Sequence, residues 1–107
     1  MNPEVFNEDL LDGLLVTNEG DIEEVREKFR NFWSGTSHDV SELYLDYIKI
    51  EQLPNKYFTD LRIINNLQKL TLSNNGLRSL PKEIGNLHNL QELNLSSNEL
   101  ASLPSKI

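Results

Sequence analysis

The sequence predicts an α/β solenoid, with short parallel strands lining one side, helical or irregular segments on the other, and a helical cap at the N-terminal end. Three observations predict it. One pattern of apolar residues recurs at a fixed offset through the second half of the chain. Within each copy two leucines alternate about a polar residue, as in a strand with one buried face. Residues 1–35 carry no copy of the pattern and show helical spacing instead.

The repeat comes first because it decides the architecture. Leu67, Leu70, Leu72, Asn75, Leu77, Leu80, Pro81 and Ile84 are matched by Leu90, Leu93, Leu95, Asn98, Leu100, Leu103, Pro104 and Ile107, every pair at the one spacing that separates Leu67 from Leu90. An earlier, degenerate copy places Val40, Leu43, Leu45, Ile50, Leu53, Pro54 and Tyr57 in the same slots. Its start lies further from the next copy, since the step from Val40 to Leu67 exceeds the step from Leu67 to Leu90 by four positions. Val40–Pro54 and Leu67–Pro81 are the same length, so the four extra residues fall after Pro54. The connection Asn55–Asn66 is therefore expected to hold an extra helical turn on the outer side. One copy cannot bury its own apolar face, and stacking neighbours makes the core continuous. Pro81 and Pro104 stop the chain from continuing as strand. A buried asparagine must satisfy its amide, so Asn75 and Asn98 are expected to bond backbone groups in the turn after each strand. The first copy has Ile48 at that position, and its turn must be solved differently.

LQKLTLSNNGL and LQELNLSSNEL resemble the consensus LxxLxLxxNxL of the leucine-rich-repeat family. The resemblance spans Val40 to Ile107. The tails LPKEIGNLHN and LPSKI are similar to the 23-residue subtype of intracellular Ras-binding and signalling-scaffold members, and of bacterial repeat proteins. Residues 1–35 are then a cap, and 36–107 hold about three repeats, the last incomplete.

In the N-terminal segment two helices are expected. Asn2-Pro3 suits a helix start, and Phe6, Leu10 and Leu14 recur every four residues, with Leu11 and Leu15 beside them. Thr17–Gly20 is a turn cluster. Asp21-Ile22-Glu23-Glu24 resembles a capping box. Ile22, Val25, Phe29 and Phe32 form the stripe of the second helix, which Gly35 ends. Two amphipathic helices with Phe29, Phe32 and Trp33 would cover the exposed side of the first copy. The alternative is a docking helix pair for another protein, anchored by Trp33.

Strand alternation turns a second set of side chains outward. In the first copy these are Glu42, Tyr44, Asp46 and Tyr47. Lys69, Thr71, Ser73 and Asn74 follow in the second, and Glu92, Asn94, Ser96 and Ser97 in the third. Their columns run Glu42-Lys69-Glu92, Tyr44-Thr71-Asn94, Asp46-Ser73-Ser96 and Tyr47-Asn74-Ser97. The resemblance implies that this concave face carries contacts with a partner protein. Tyr44 and Tyr47 are its aromatics, and exposed tyrosine is a frequent hot-spot residue. The plainer explanation of Glu42-Lys69-Glu92 is cross-strand charge pairing.

Composition bounds the function classes. The net charge of −7, with 10 basic against 17 acidic residues, argues against nucleic-acid binding and against docking on anionic lipid. Zero cysteines exclude disulfides, thiol catalysis and cysteine zinc sites, and favour a reducing, cytoplasmic setting. The N-terminal stretch carries Glu4, Glu8, Asp9 and Asp12 where a secretory leader would be basic and then apolar. Asn94-Leu95-Ser96 matches a glycosylation sequon that is read as accidental. His38 and His88 share no metal-binding spacing. No GxSxG elbow or Gly-rich phosphate loop occurs. No catalytic residue, cofactor or metal is expected. The expected function is binding another protein, as a scaffold or recognition module. Two rivals are a regulatory piece of a larger enzyme and a structural protein that self-associates. The chain stops within the third copy, so a longer parent or self-association through the open C-terminal edge is expected to cover its last strand.

Overall fold

The computed structural model describes residues 6–17, 20–35 and 41–101. The slots filled by Val40, Leu103, Pro104 and Ile107, the Asn2-Pro3 cap and His38 lie outside them. Five short strands and two α-helices follow in order: β1 (Leu15–Val16), α1 (Ile22–Gly35), β2 (Glu42–Tyr44), β3 (Ile50–Gln52), α2 (Leu61–Asn66), β4 (Lys69–Thr71) and β5 (Glu92–Asn94).

The repeat builds the main sheet. β2, β4 and β5 lie side by side and parallel, in the order β2-β4-β5. Their register is the one the sequence offsets give: Leu43 pairs with Leu70 and Leu70 with Leu93, flanked by Glu42-Lys69-Glu92 and Tyr44-Thr71-Asn94. The inward side chains Leu43, Leu45, Leu70 and Leu72 are buried. Their counterparts Leu93 and Leu95 are only half-buried, because β5 borders β4 alone among the described strands.

Each asparagine of the ladder serves the turn of the copy before it. Asn75 Oδ1 accepts from the backbone N–H of Ile48 at 2.9 Å and of Ile50 at 3.4 Å. Its Nδ2 donates to Leu45 O at 2.7 Å and Leu72 O at 2.9 Å. Asn98 repeats the pattern one copy on, accepting from Asn75 N and Leu77 N at 3.1 and 3.0 Å. That offset explains Ile48. In the first copy an asparagine would have no preceding turn to serve, and Ile48 packs partly against the core instead.

The longer first connection holds the expected extra helix. A 3-10 turn, Lys56–Thr59, leads into α2, whose first turn is capped by Asp60, its side chain accepting from Arg62 N at 2.9 Å. The second copy has only a 3-10 turn, Lys82–Asn86. Tyr57 takes the slot that Ile84 takes later, and both are buried.

The N-terminal segment departs from expectation. The helix predicted through Phe6, Leu10 and Leu14 is a single 3-10 turn, Glu8–Leu11, with Asn7 Oδ1 accepting from Asp9 N at 3.0 Å. Gly13 ends it at φ +93°, a left-handed conformation in which glycine has no steric penalty. Beyond it the chain forms β1, which pairs antiparallel with β3, Val16 opposite Ile50 and Leu15 opposite Gln52. Gln52 Nε2 donates to Gly13 O at 2.9 Å, and Thr17 N to Lys49 O at 2.8 Å. The physical reason is satisfaction of backbone groups: the extended segment supplies donors and acceptors to β3, in a two-stranded sheet separate from β2-β4-β5.

α1 forms as the stripe predicts. Asp21 Oδ1 accepts from Glu23 N and Glu24 N at 3.0 and 3.2 Å, and Val25, Phe29, Phe32 and Trp33 are buried. Phe29 meets the Tyr57 ring edge-on at 4.7 Å between centroids, and the Tyr57 hydroxyl donates to Phe29 O at 2.9 Å. Trp33, at 6% exposure, lies against Phe6 and under the Arg62 guanidinium, 4.3 Å from the ring centroid. Its ring is inside the fold and offers no anchor to a partner.

Candidate functional site

Opposite the leucines, β2, β4 and β5 present the second face of the sheet. All twelve positions expected there are brought together, but their surroundings differ. Tyr44 and Tyr47 are 48% and 73% exposed. Glu42, Glu92, Asn94, Ser96 and Ser97 are exposed as well, whereas Asp46, Lys69 and Asn74 are half-buried. Thr71 and Ser73 are on the outward register yet only 5% and 8% exposed. Alternation sets where a side chain points, and its neighbours decide whether solvent reaches it.

Asp46 is the reason for that burial. Its Oδ2 accepts from Thr71 Oγ1 at 3.0 Å, and its Oδ1 accepts from Ser73 Oγ at 2.9 Å and Ser73 N at 2.7 Å. The carboxylate ties the first copy to the second and holds both hydroxyls. In the third copy Asn94 plays a local version, its Oδ1 accepting from Ser96 N at 3.0 Å and Ser96 Oγ at 2.8 Å. Composition alone did not reveal this role, although an aspartate beside a Thr/Ser column was its signal.

The first column is electrostatically linked. Lys69 Nζ lies 3.4 Å from Glu92 Oε2 and 5.3 Å from the centroid of the Tyr44 ring, and the Tyr44 hydroxyl donates to Glu42 Oε1. The bond to Glu42 raises the Tyr44 pKa above the usual phenol value. Contacts with Tyr44 first, and Glu92 second, raise that of Lys69. Cross-strand pairing thus accounts for Lys69 and Glu92, but not for Tyr47.

Tyr47 stands in the turn after β2 at φ +58°, its backbone N–H donating to Ser73 O at 3.1 Å. Asn74 and Ser97, one and two copies on, take the same left-handed conformation at φ +60° and +57°. Small polar residues visit that region more readily than bulky aromatics do. Two positions further, Lys49 is also left-handed, at φ +62°, where the second copy has Gly76 at +82°. The first copy therefore keeps two large side chains where backbone preference favours Asn and Gly.

The model of the leucine rich repeat family matches residues 38–100. The chain belongs to the leucine-rich-repeat family. No curated protein and no solved structure matches it. Leucine-rich repeats generally mediate protein–protein interaction. Elsewhere on these repeats the described residues line further hollows. One, of about 240 Å³, opens beside β5 between Ile84, Leu87, Leu90 and Leu93. Another, of about 250 Å³, lies between Leu53, Asn55, Leu80 and Pro81 and holds no titratable side chain. Among the described residues no group of three or more His, Cys, Asp or Glu is placed to hold a metal ion.

Proposed function

We propose that this chain is a protein-recognition module of solenoid form, binding a partner on the concave face of β2-β4-β5, with α1 and β1 as its N-terminal cap. Tyr47 is the observation that carries the site. It is the most exposed large hydrophobic side chain of the described residues, and it stands in a backbone conformation costly for an aromatic. Nothing in the core or in the Asn ladder requires a tyrosine there. Tyr44 adds a second exposed ring on the same copy, and exposed tyrosines supply contact area at low entropic cost. The cap is supported by Phe29 and Trp33 packing on Tyr57 and Arg62, and by β1 pairing with β3 of the first copy. Thr71 and Ser73 hold Asp46 in place, leaving Glu42, Tyr44, Asp46, Tyr47, Lys69, Asn74, Glu92, Asn94 and Ser96 as the contact set. Affinity capture with wild type and a folded Tyr44→Ser/Tyr47→Ser variant tests this. Retention of a protein by wild type and its loss from the variant is expected. Equal retention by both baits would move the site off this face.

A further inference from the structure

Resting on that proposed binding face, we infer that its partner presents a basic segment, with an arginine or lysine side chain seated against Tyr47 and Asp46. Three features of the face argue for it. The first is charge. Its four columns hold the carboxylates of Glu42, Asp46 and Glu92 against the single ammonium of Lys69, which already pairs with Glu92. The Asp46 carboxylate is anchored by three neutral donors from Thr71 and Ser73, so it is fixed in position without a cation having been supplied. A fixed, half-buried carboxylate whose neighbour in sequence is an exposed tyrosine supplies the two groups a guanidinium favours.

The second feature is that the face already hosts a cation of its own. Lys69 Nζ sits over the Tyr44 ring at 5.3 Å, with Glu42 bonded to the Tyr44 hydroxyl. Ring, carboxylate and ammonium meet there, and Asp46 with Tyr47 supplies the same acidic and aromatic residue types side by side in the sequence. The third feature is location. The chain's net charge of −7 is carried by residues 1–40, where ten acidic residues meet three basic ones, while residues 41–101 hold seven and six. The N-terminal segment therefore attracts basic chains at long range, whereas the tyrosine-bearing first copy supplies the short-range seat. An acidic partner meets repulsion at both.

Selection of a random peptide library on the immobilised full chain tests this. Enrichment of arginine and lysine is expected. One selected arginine peptide should lose about tenfold in affinity on Tyr47→Ser, and about as much when its arginine is replaced by citrulline, which keeps the shape and removes the charge. Asp46→Asn, shown folded by circular dichroism, should weaken the same peptide. The Glu23→Gln/Glu24→Gln/Glu27→Gln variant should hold it within about twofold. Peptides without basic bias that Tyr47→Ser abolishes would overturn the inference and leave the binding face standing. Basic peptides held equally by Tyr47→Ser but weakened by the triple variant would place the attraction on α1, overturning the inference and removing support from the face. Absence of any enriched peptide would overturn it too.

Discussion

Replacing Asn75 by leucine removes four side-chain hydrogen bonds at one stroke, and the structure says which of them matter. Leu72 O keeps a partner, because Asn98 Nδ2 also donates to it at 2.8 Å. The bond from Ile50 N is long, at 3.4 Å. Ile48 N and Leu45 O lose their close bonds of 2.9 and 2.7 Å. A buried polar group left unsatisfied costs about 1–3 kcal/mol. Ile48 is half-buried, so water recovers part of its share, and the total comes to about 3 kcal/mol. That is a large part of the roughly 5–15 kcal/mol expected of a chain this long. With a urea slope of about 1–3 kcal/mol/M, the midpoint should fall by about 1–3 M. Asn98→Leu is the internal comparison. Asn98 is itself half-buried and Leu72 O would keep Asn75 Nδ2, but Asn75 N and Leu77 N belong to buried residues and lose their bonds, so the loss should be about 2 kcal/mol. Unfolding free energies of both variants within about 0.5 kcal/mol of wild type would refute the ladder as a stabilising device.

Four further outcomes follow from the geometry. Tyr47→Asn should raise stability by about 0.5–1 kcal/mol, since the left-handed turn suits asparagine and the exposed ring contributes little packing; a loss in thermal unfolding would show that the tyrosine serves the fold. Gly13→Ala should cost about 1–2 kcal/mol through its positive φ alone, because a Cβ there meets nothing closer than 3.5 Å; chemical denaturation measures it. Arg62→Ala should cost about 1 kcal/mol by removing the cation over Trp33, and a quenched or shifted Trp33 fluorescence band would report the same contact. Burial holds the Tyr57 pKa well above its ordinary 10.0, so the folded chain keeps a proton there that the unfolded chain releases. The stability this group contributes is complete below pH 10 and lost as pH rises toward the folded value. Urea midpoints should therefore fall more steeply above pH 10 in wild type than in Tyr57→Phe, and parallel curves would contradict the assignment.

Much of the repeat region was legible. The two repeat offsets place Glu42, Lys69 and Glu92 in one row, and the strands pair in that row. The surplus after Pro54 becomes α2, and the Asp21 cap starts α1. The first predicted helix misled, because Phe6, Leu10 and Leu14 mark a buried side without specifying the backbone that buries it. Gly13 carried the opposing signal, a residue free to turn left-handed before the last leucines of the apparent helix. Within the candidate site the twelve outward positions were readable, but the closure of Asp46 over Thr71 and Ser73 was not, since it depends on side chains from neighbouring copies meeting in space.

From the amino acids alone came the repeat, the strand register, the placement of Asn75 and Asn98, and the segregation of acidic charge into the N-terminal segment that precedes the strands. These are local or periodic properties: a side chain's face follows from strand alternation, and equivalent slots stack because each copy must bury the same apolar edge. Tertiary structure alone decided that Leu15 and Val16 are strand, that Trp33 is interior, and that Tyr47 remains exposed while Thr71 and Ser73 are covered. Each of those depends on which segments distant in the sequence meet to satisfy backbone groups, and on which neighbour fills the space beside a residue.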